Sequence, residues 1–421
     1  MEVAGRQSPQ DEASLVELRL FLEELLCNLL RFQHVQDDGI APHEVRIQQE
    51  VYLGVPGAFA DIAVAVPGRG RYFVEIKYGY PPDRIVRHLA RKYGDDRPVG
   101  AAEKLVLVVA RADDVGSEVT EAVRQGLPVE IWDEPKLLSL LRHYFGVEAE
   151  RISADEVPDL RLAIDRAKGR YAFGDHYTGE AHQSALLWHL GFWRLAQLSD
   201  GGRVPSREIL APGIYRSATV LMADLSSFSA YVRDTRDERV VRHALTSFYS
   251  KARYQILNSG GMLYQFLGDG VLALFGVPEV QPDDEVRALA CGASLLEIGA
   301  SVMNEWQRHI DNVEEAVGCH VGMAVGDLNI LSARPFSRTY MAALGQAINL
   351  ASRLLAAAEV GEIVVSNGLH HRLPDGLQDS FDPLETVEAR NIGRIRAWKL
   401  RSGETPRVTA SLGRVVAQPD W

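Results

Sequence analysis

Hydrophobic positions along the chain change their spacing several times, and each change predicts a different element. Residues 12–32 carry leucines at helical spacing between charged residues, which predicts an amphipathic helix. Between residues 44 and 77 the apolar positions form three short runs, and the turn sequence PGRGR separates the last two. This pattern predicts strands joined by a hairpin. Further strands (KLVLVVA and PVEIWD) alternate with helical patterns, which predicts a small α/β domain over residues 1–150.

The stretch from 151 to 213 has polar helical patterns and one aromatic-rich helix, HQSALLWHLGFWRLAQL. The breaks SDGGRVPS and APG follow that helix, so this stretch is interpreted as a helical connector. Its tryptophans favour a packed core or a subunit contact over a ligand pocket. A second α/β pattern covers residues 214–401, and residues 402–421 are interpreted as a tail.

Composition and charge narrow the function classes. The apolar content of 46% and charged content of 24% are those of a soluble globular protein. A formal charge of −12 argues against a general nucleic-acid-binding surface, because such a surface needs a basic stripe. The three cysteines are scattered, the N-terminus is polar, and charged residues interrupt each apolar run. We therefore expect a cytoplasmic protein with reduced thiols and no membrane span.

Two aspartates of the second domain follow apolar strands. Asp224 comes after VLMA and precedes a helix start, and Asp269 lies at the tip of the hairpin MLYQFLGDGVLALFG. Two carboxylates at neighbouring strand ends can hold hard divalent cations, and a pair of such ions suits in-line displacement at a phosphate. Either aspartate alone would be explained equally well as a turn residue, because Asp-Gly is a frequent hairpin dipeptide.

Asn349 and Arg353 are four residues apart in GQAINLASRLL, which puts them on one face of a helix. A guanidinium fork beside an amide suits a phosphate and a ribose. A solvated helix face is the plainer alternative.

The stretches VLMADLSSFSAY, FLGDGVLALFG and LGQAINLASRL, in this order and at these separations, resemble the catalytic domain of class III nucleotide cyclases over residues 216–400. The resemblance implies a ferredoxin-like domain that dimerises head to tail, with nucleoside triphosphate bound at the dimer interface. It implies that Asp224 and Asp269, with the backbone of Leu225, hold two Mg²⁺ or Mn²⁺ ions.

The same resemblance assigns the phosphate and ribose contacts. Asn349 would orient the ribose and Arg353 would stabilise charge on the α-phosphate, both from the other subunit. Arg390 stands where the family has a phosphate-gripping lysine, and it keeps the positive charge.

The family's two base-recognition positions are Gln265 and Ala342 in this chain. Adenylate cyclases have Lys with Asp or Thr there, and guanylate cyclases have Glu with Cys. Ala342 leaves the exocyclic group of a purine without a partner, at a cost of about 1–3 kcal/mol. The Gln265 amide offers a donor and an acceptor, which matches the Watson–Crick edge of uracil or cytosine. The bulky neighbours Tyr264, Tyr340 and Met341 would narrow the pocket.

This departure resembles the bacterial pyrimidine (Pycsar-type) cyclases of antiphage defence, whose cyclic UMP or cyclic CMP activates a downstream effector. The leading hypothesis is conversion of UTP, or CTP, to the 3′,5′-cyclic monophosphate and pyrophosphate. One alternative is an adenylate cyclase that makes cyclic AMP with a degenerate pocket. Another is a non-catalytic binding module, against which the complete set of metal and phosphate residues argues.

In the first domain, ADIAVAVPGRGRYFVEIKYG places Asp61 on one strand and Glu75 and Lys77 on the next. Residues two apart on a strand point to the same side, so Glu75 and Lys77 point together. With Glu50 nearby, the set resembles the Mg²⁺ site of restriction-endonuclease-like folds. The resemblance implies either a metal-dependent nuclease, for which nucleic acid is the partner, or a sensor domain that keeps the geometry.

Overall fold

The computed structural model describes residues 9–94, 102–281, 283–310, 317–333, 340–389 and 393–401. The chain divides into two compact units, Met1–Lys168 and Gly169–Trp421. The division lies within the stretch that was interpreted as a connector.

The first unit contains a five-stranded sheet in the order β1-β2-β3-β4-β5. Its strands are β1 Arg46–Tyr52, β2 Phe59–Val66, β3 Gly70–Ile76, β4 Ala102–Val108 and β5 Val129–Trp132. The helices in chain order are α1 Pro9–Phe32, α2 Pro82–Tyr93, α3 Ser117–Ala122, α4 Glu134–Phe145 and α5 Val157–Phe173.

Strand pairing in this sheet follows from the connections. The pairs β1–β2 and β2–β3 are antiparallel, and the latter turns through Gly68 and Gly70 at positive φ. The pairs β3–β4 and β4–β5 are parallel, because α2 and α3 provide the crossovers. Residues 105–108 of β4 are completely buried, as expected for a parallel strand covered on both faces.

The second unit contains an eight-stranded sheet in the order β12-β13-β11-β9-β6-β8-β7, with β10 paired to β9. Its strands are β6 Gly213–Leu225, β7 Met262–Leu267, β8 Gly270–Phe275, β9 Cys319–Ala333, β10 Tyr340–Leu344, β11 Ile363–Ser366, β12 Phe381–Ala389 and β13 Gly393–Leu400. Its helices after α5 are α6 Ala181–Leu190, α7 Phe192–Leu198, α8 Ser206–Ile209, α9 Phe228–Asp234, α10 Glu238–Asn258, α11 Asp284–Gln307, α12 Gln346–Ala357, α13 Asn367–His370 and α14 Asp375–Gln378. The predicted α/β class is confirmed.

Each face of this sheet has its own core. Residues of α10 and α11, such as Phe248 and Trp306, cover one face. The other face is covered by α6, α7 and α12, for example by Leu190 and Ala351. A Cβ at Gly322 of β9 would lie 2.2 Å from the backbone nitrogen of Leu355 in α12. This glycine therefore lets α12 lie directly on the sheet.

The prediction of a single aromatic-rich helix is wrong. Gly191 adopts φ +74° and ψ 156°, outside the helical region, and divides the stretch into α6 and α7. Trp193 is buried in α7, whereas Trp188 in α6 is 49% exposed. A glycine inside a helical pattern was the available signal for the break.

The helix α11 is apolar along most of its length. Among the described residues it is the one helix long and apolar enough to cross a membrane, and 78% of its apolar window is buried within the fold. A helix that is buried all round is typical of a protein core.

Candidate active site

Asp224 and Asp269 are brought together by neighbouring strands. Asp224 lies next to the end of β6 and opposite Gly270 of β8, while Asp269 occupies the short turn between β7 and β8. A Cβ at position 270 would lie 2.6 Å from Oδ1 of Asp224, so this glycine leaves room for the carboxylate. Gly268 adopts φ +64°, which opens the turn.

The two carboxylates destabilise each other's charge. Burial, and then the nearby Asp269, raise the pKa of Asp224 to about 6. Burial also raises the pKa of Asp269, against a backbone hydrogen bond and His320, which lower it. None of the described lysines and arginines forms an ion pair with either carboxylate. The pair therefore favours binding of an external cation.

A cavity of about 770 Å³ opens beside this pair. Its polar lining includes Asp224, Asp269, Ser226 and His320. His320 was not predicted as a site residue. It lies opposite Asp224 on β9, with Nδ1 3.0 Å from the Ser226 hydroxyl oxygen. A lone histidine at the start of a strand carries no signal that identifies its neighbours.

The donor set fits divalent cations that bind together with substrate. The described residues contain no group of three or more His, Cys, Asp or Glu side chains that could hold a metal ion. The Leu225 side chain is a buried hydrocarbon without a donor atom, so this residue could contribute only its backbone carbonyl. Mg²⁺ in nucleotide enzymes commonly uses one or two carboxylates and takes its other oxygens from phosphates and water. Asp224 and Asp269 supply such a pair.

A second cavity of about 420 Å³ contains the residues expected to contact the base and ribose. Gln265 of β7, Ala342 of β10 and Asn349 of α12 all line it. Tyr264 lines it too, and its hydroxyl oxygen accepts a hydrogen bond of 2.8 Å from the Ala343 backbone N–H. The tertiary structure thus brings together three residues that are far apart in sequence.

A β-bulge in β7 explains how two consecutive side chains reach this cavity. Leu263 is opposite Ala273 and Gln265 is opposite Leu272, so Tyr264 is the extra residue. In a regular strand, Gln265 and Tyr264 would point to opposite faces of the sheet. With the bulge, both lie on the face that carries Leu272.

The other residues that were predicted for the site either line neither cavity or lie outside the described residues. Arg353 is exposed on α12 and lines neither cavity. Arg390 lies outside the described residues, as do the side chains of Tyr340 and Met341.

The two cavities have no described lining residue in common. The carboxylate pair and Asn349 therefore line separate spaces in one chain.

In the first unit, Asp61, Glu75 and Lys77 do converge. Lys77 Nζ lies 3.1 Å from Asp61 Oδ2 and 2.6 Å from Glu75 Oε2. Lys92 of α2 adds a second ammonium, which donates to both Glu75 oxygens at 2.9 and 2.8 Å. Its Nζ lies 3.6 Å from Asp61 Oδ1. Lys92 therefore lies between the two carboxylates, where a bridging metal ion would otherwise be expected.

Further contacts complete this buried network. Asp61 accepts a hydrogen bond from the Ile76 backbone N–H at 2.7 Å, and the Tyr93 hydroxyl donates to Glu75 at 2.7 Å. Burial by itself would raise the pKa of Asp61. The positive charges of Lys77, Lys92 and Arg19 outweigh this effect and hold the pKa well below its usual range. Ion pairs thus compensate the negative charges of Asp61 and Glu75, whereas the described residues provide no ion pair for Asp224 and Asp269.

We expect no metal-dependent nicking of plasmid DNA by the protein, because a metal ion at Asp61 and Glu75 would have to displace a buried ammonium. The assay compares wild type with Asp61→Ala in Mg²⁺ and in Mn²⁺. Nicking that requires both the metal and Asp61 would establish a nuclease instead of a sensor.

Comparison with known proteins identifies the second unit. Residues 211–402 match the family described as Adenylate and Guanylate cyclase catalytic domain. A putative adenylate cyclase 3 of Rhizobium meliloti (strain 1021) is 25% identical over 201 residues, 46% of this chain and 30% of that protein. An adenylate cyclase of Mycobacterium tuberculosis (strain ATCC 25618 / H37Rv) is 28% identical over 209 residues, 49% of this chain and 44% of that protein. The chain thus matches less than half the length of these curated relatives.

One relative extends over both units. An uncharacterized protein of the same Mycobacterium tuberculosis strain is 28% identical over 407 residues, 91% of this chain and 99% of that protein.

Among solved structures, the guanylyl cyclase Cya2 is 25% identical with a TM-score of 0.40, over 45% of this chain and 94% of Cya2. The adenylyl cyclase CyaB from P. aeruginosa is 20% identical with a TM-score of 0.40, over 46% of this chain and 97% of CyaB. The family match covers the Asp224 and Asp269 pair and the second cavity. Residues 211–402 of this chain thus match the catalytic domain of the adenylate and guanylate cyclases, the class III nucleotide cyclases.

Proposed function

We propose that this protein is a pyrimidine nucleotide cyclase. It converts UTP, or CTP, to the 3′,5′-cyclic monophosphate and pyrophosphate. The observation that carries the base preference is the cavity in which Gln265, Ala342 and Asn349 meet. We also propose a homodimer. The carboxylate pair and Asn349 line different cavities of one chain, and a second copy would bring the two sets of residues together.

The chemistry of the second cavity supports a small base. Gln265 can donate and accept through one amide, whereas Ala342 offers only a methyl group. Tyr264 occupies part of the same wall, and its hydroxyl is already bonded to the Ala343 backbone. A purine would place a larger ring against this wall. Its exocyclic group would also lack a hydrogen-bond partner, because Ala342 provides none.

The carboxylate pair would hold two Mg²⁺ or Mn²⁺ ions, with a backbone contribution from Leu225. Bound there, the ions would lower the pKa of the ribose 3′ hydroxyl and neutralise charge on the phosphates. Asn349 would orient the ribose, and Arg353 and Arg390 would bind phosphate oxygens. Positioning and charge neutralisation account for most of such catalysis.

Cyclic AMP synthesis is the second candidate. It is favoured by the two partial relatives, which carry the names putative adenylate cyclase and adenylate cyclase.

Product identity decides between these candidates. The protein is incubated with ATP, GTP, CTP and UTP in Mn²⁺, separately and as an equimolar mixture, and the products are identified by mass spectrometry. We expect cyclic UMP or cyclic CMP in excess over cyclic AMP by about 10-fold or more, because one unpaired polar edge costs about one to two decades. Cyclic AMP as the sole product would overturn the pyrimidine assignment. No product from any nucleotide, with a folded protein, would favour either a binding module or an enzyme whose activator is missing.

We further propose a cytoplasmic role in antiviral defence, in which the first unit senses a trigger and the cyclic nucleotide activates a downstream effector. The ion-paired state of Asp61 and Glu75 supports a sensor in preference to a nuclease. The restriction-endonuclease-like fold of this unit remains a prediction.

A further inference from the structure

The nucleotide pocket is anchored from outside the matched catalytic domain. His189 of α6 lies before residue 211, and its Nδ1 is 2.6 Å from the backbone carbonyl oxygen of Leu263 in β7. A carbonyl can only accept, so Nδ1 of His189 carries the hydrogen and donates it. Burial and the nearby Arg253 lower the pKa of His189, whereas the bond to the Leu263 carbonyl raises it.

A second side chain bonds the turn that leads into the same strand. Arg194 of α7 is buried and donates to the backbone carbonyl of Gly260, two residues before β7 begins. Two side chains of the segment Ala181–Leu198 therefore bond backbone oxygens near the start of this hairpin, one at Leu263 in β7 and one at Gly260, two residues before β7.

The end of α6 that carries His189 is itself held. Arg253 of α10 donates to the backbone carbonyls of Trp188 at 3.2 Å and Leu187 at 3.3 Å. Its guanidinium also lies 4.3 Å from the centroid of the Trp188 ring. The last turn of α6 is thus fixed against α10, and so is His189.

The carbonyl bound by His189 lies directly before the β-bulge. Tyr264 is the bulge residue, and the bulge turns both Tyr264 and Gln265 into the cavity of about 420 Å³. Tyr264 then receives the Ala343 N–H, next to Ala342, the other base-recognition position. A continuous set of bonds runs from His189 through the bulge to both positions expected to contact the base.

We propose that His189 is a positioning residue for the nucleotide pocket. Its Nδ1–H bond to the Leu263 carbonyl fixes the β7 bulge, which sets the direction of the Gln265 amide and, through Tyr264, the place of Ala342. This inference rests on the proposed cyclase function. It makes α6 part of the specificity machinery, although α6 lies outside the matched domain.

The test compares His189→Ala with His189→Asn and with His182→Ala. Asn keeps an N–H donor near the position of Nδ1. His182 is a matched control, because it lies on the same helix and its Nε2 is 3.0 Å from the Ser206 carbonyl, which is not in β7. Steady-state kinetics are measured with the nucleotide that wild type prefers and with its best competitor.

We expect His189→Ala to raise KM for the preferred nucleotide by about 3- to 10-fold, the loss of one hydrogen bond, and to reduce discrimination between nucleotides. Its kcat at saturation and its Mn²⁺ activation constant stay within about twofold of wild type. His189→Asn recovers most of the loss, and His182→Ala matches wild type. Tyr264→Phe, which removes the acceptor for Ala343, shifts KM in the same direction and replaces His189→Ala if that variant fails to fold.

Unchanged KM and discrimination in His189→Ala would overturn the proposal, as would an equal effect of His182→Ala. The melting-temperature shift caused by nucleotide gives a readout independent of turnover. Wild type that binds nucleotide without turnover contradicts the proposed cyclase. An equal nucleotide-dependent shift in wild type and His189→Ala contradicts the positioning role.

Discussion

Asp269→Asn should lower cyclic nucleotide formation by at least about 100-fold, the effect expected on removing a principal electrostatic contact of a transition state. Asp269 and Asp224 are the two aspartates that line the larger cavity, and none of the described lysines and arginines pairs with them. The substitution keeps the shape of the side chain and removes its charge. Turnover is measured by mass spectrometry in saturating Mn²⁺, with Asp375→Asn on the exposed start of α14 as the control.

The same variant should leave the metal-free fold at least as stable as wild type at pH 7.5. The pKa of Asp224 is raised to about 6 by burial and by Asp269. A carboxyl whose folded pKa is raised destabilises the fold as pH rises above its unfolded value near 3.9, and the effect is complete above the folded pKa. Removing the Asp269 charge relieves part of this effect, so the melting temperature without metal should stay equal or rise. Mn²⁺-dependent stabilisation should disappear. Retention of more than about a tenth of wild-type turnover would contradict a metal role for Asp269.

Mixing two inactive variants should restore activity if two chains build each site. Asp269→Asn removes part of the metal pair, and Asn349→Ala removes the amide of the smaller cavity. A mixed dimer would contain one site with both defects and one intact site. With free exchange between equal amounts, roughly half the dimers are mixed, so about a quarter of wild-type activity should return.

A second mixture provides the control for this experiment. Asp269→Asn mixed with Asp224→Asn should stay inactive, because both changes fall in the same cavity and every site keeps one defect. Equal activity in the two mixtures, or none in either with exchange demonstrated by native mass spectrometry, would contradict a shared site.

Much of the fold could be predicted from hydrophobic spacing. The run FADIAVAV coincides with β2, and the leucine pattern of residues 12–32 lies within α1. Local patterns succeed there because side-chain period and burial are properties of a single element. They failed at Gly191, where a run with helical spacing is two helices.

The candidate site divides in the same way. Asp224 and Asp269 were recognisable in sequence because each ends an apolar strand, and adjacent strands bring such ends together. The contacts of His320 and His189 were not recognisable, because each histidine contacts a residue of a distant part of the sequence. Nor did the sequence show that Lys92, on α2, bonds both oxygens of Glu75.

The sequence by itself determined the α/β class, the carboxylate pair and the identity of the residues that we expect to contact the base. The tertiary structure alone decided which of these residues share a cavity and in which direction they point. Gln265 shows the physical reason most clearly. In a regular strand, the side chains of Gln265 and Tyr264 would point to opposite faces of the sheet. A one-residue bulge, set by the pairing of β7 with β8, turns Gln265 into the same pocket as Tyr264. Side-chain direction depends on register, and register is set by the partner strand.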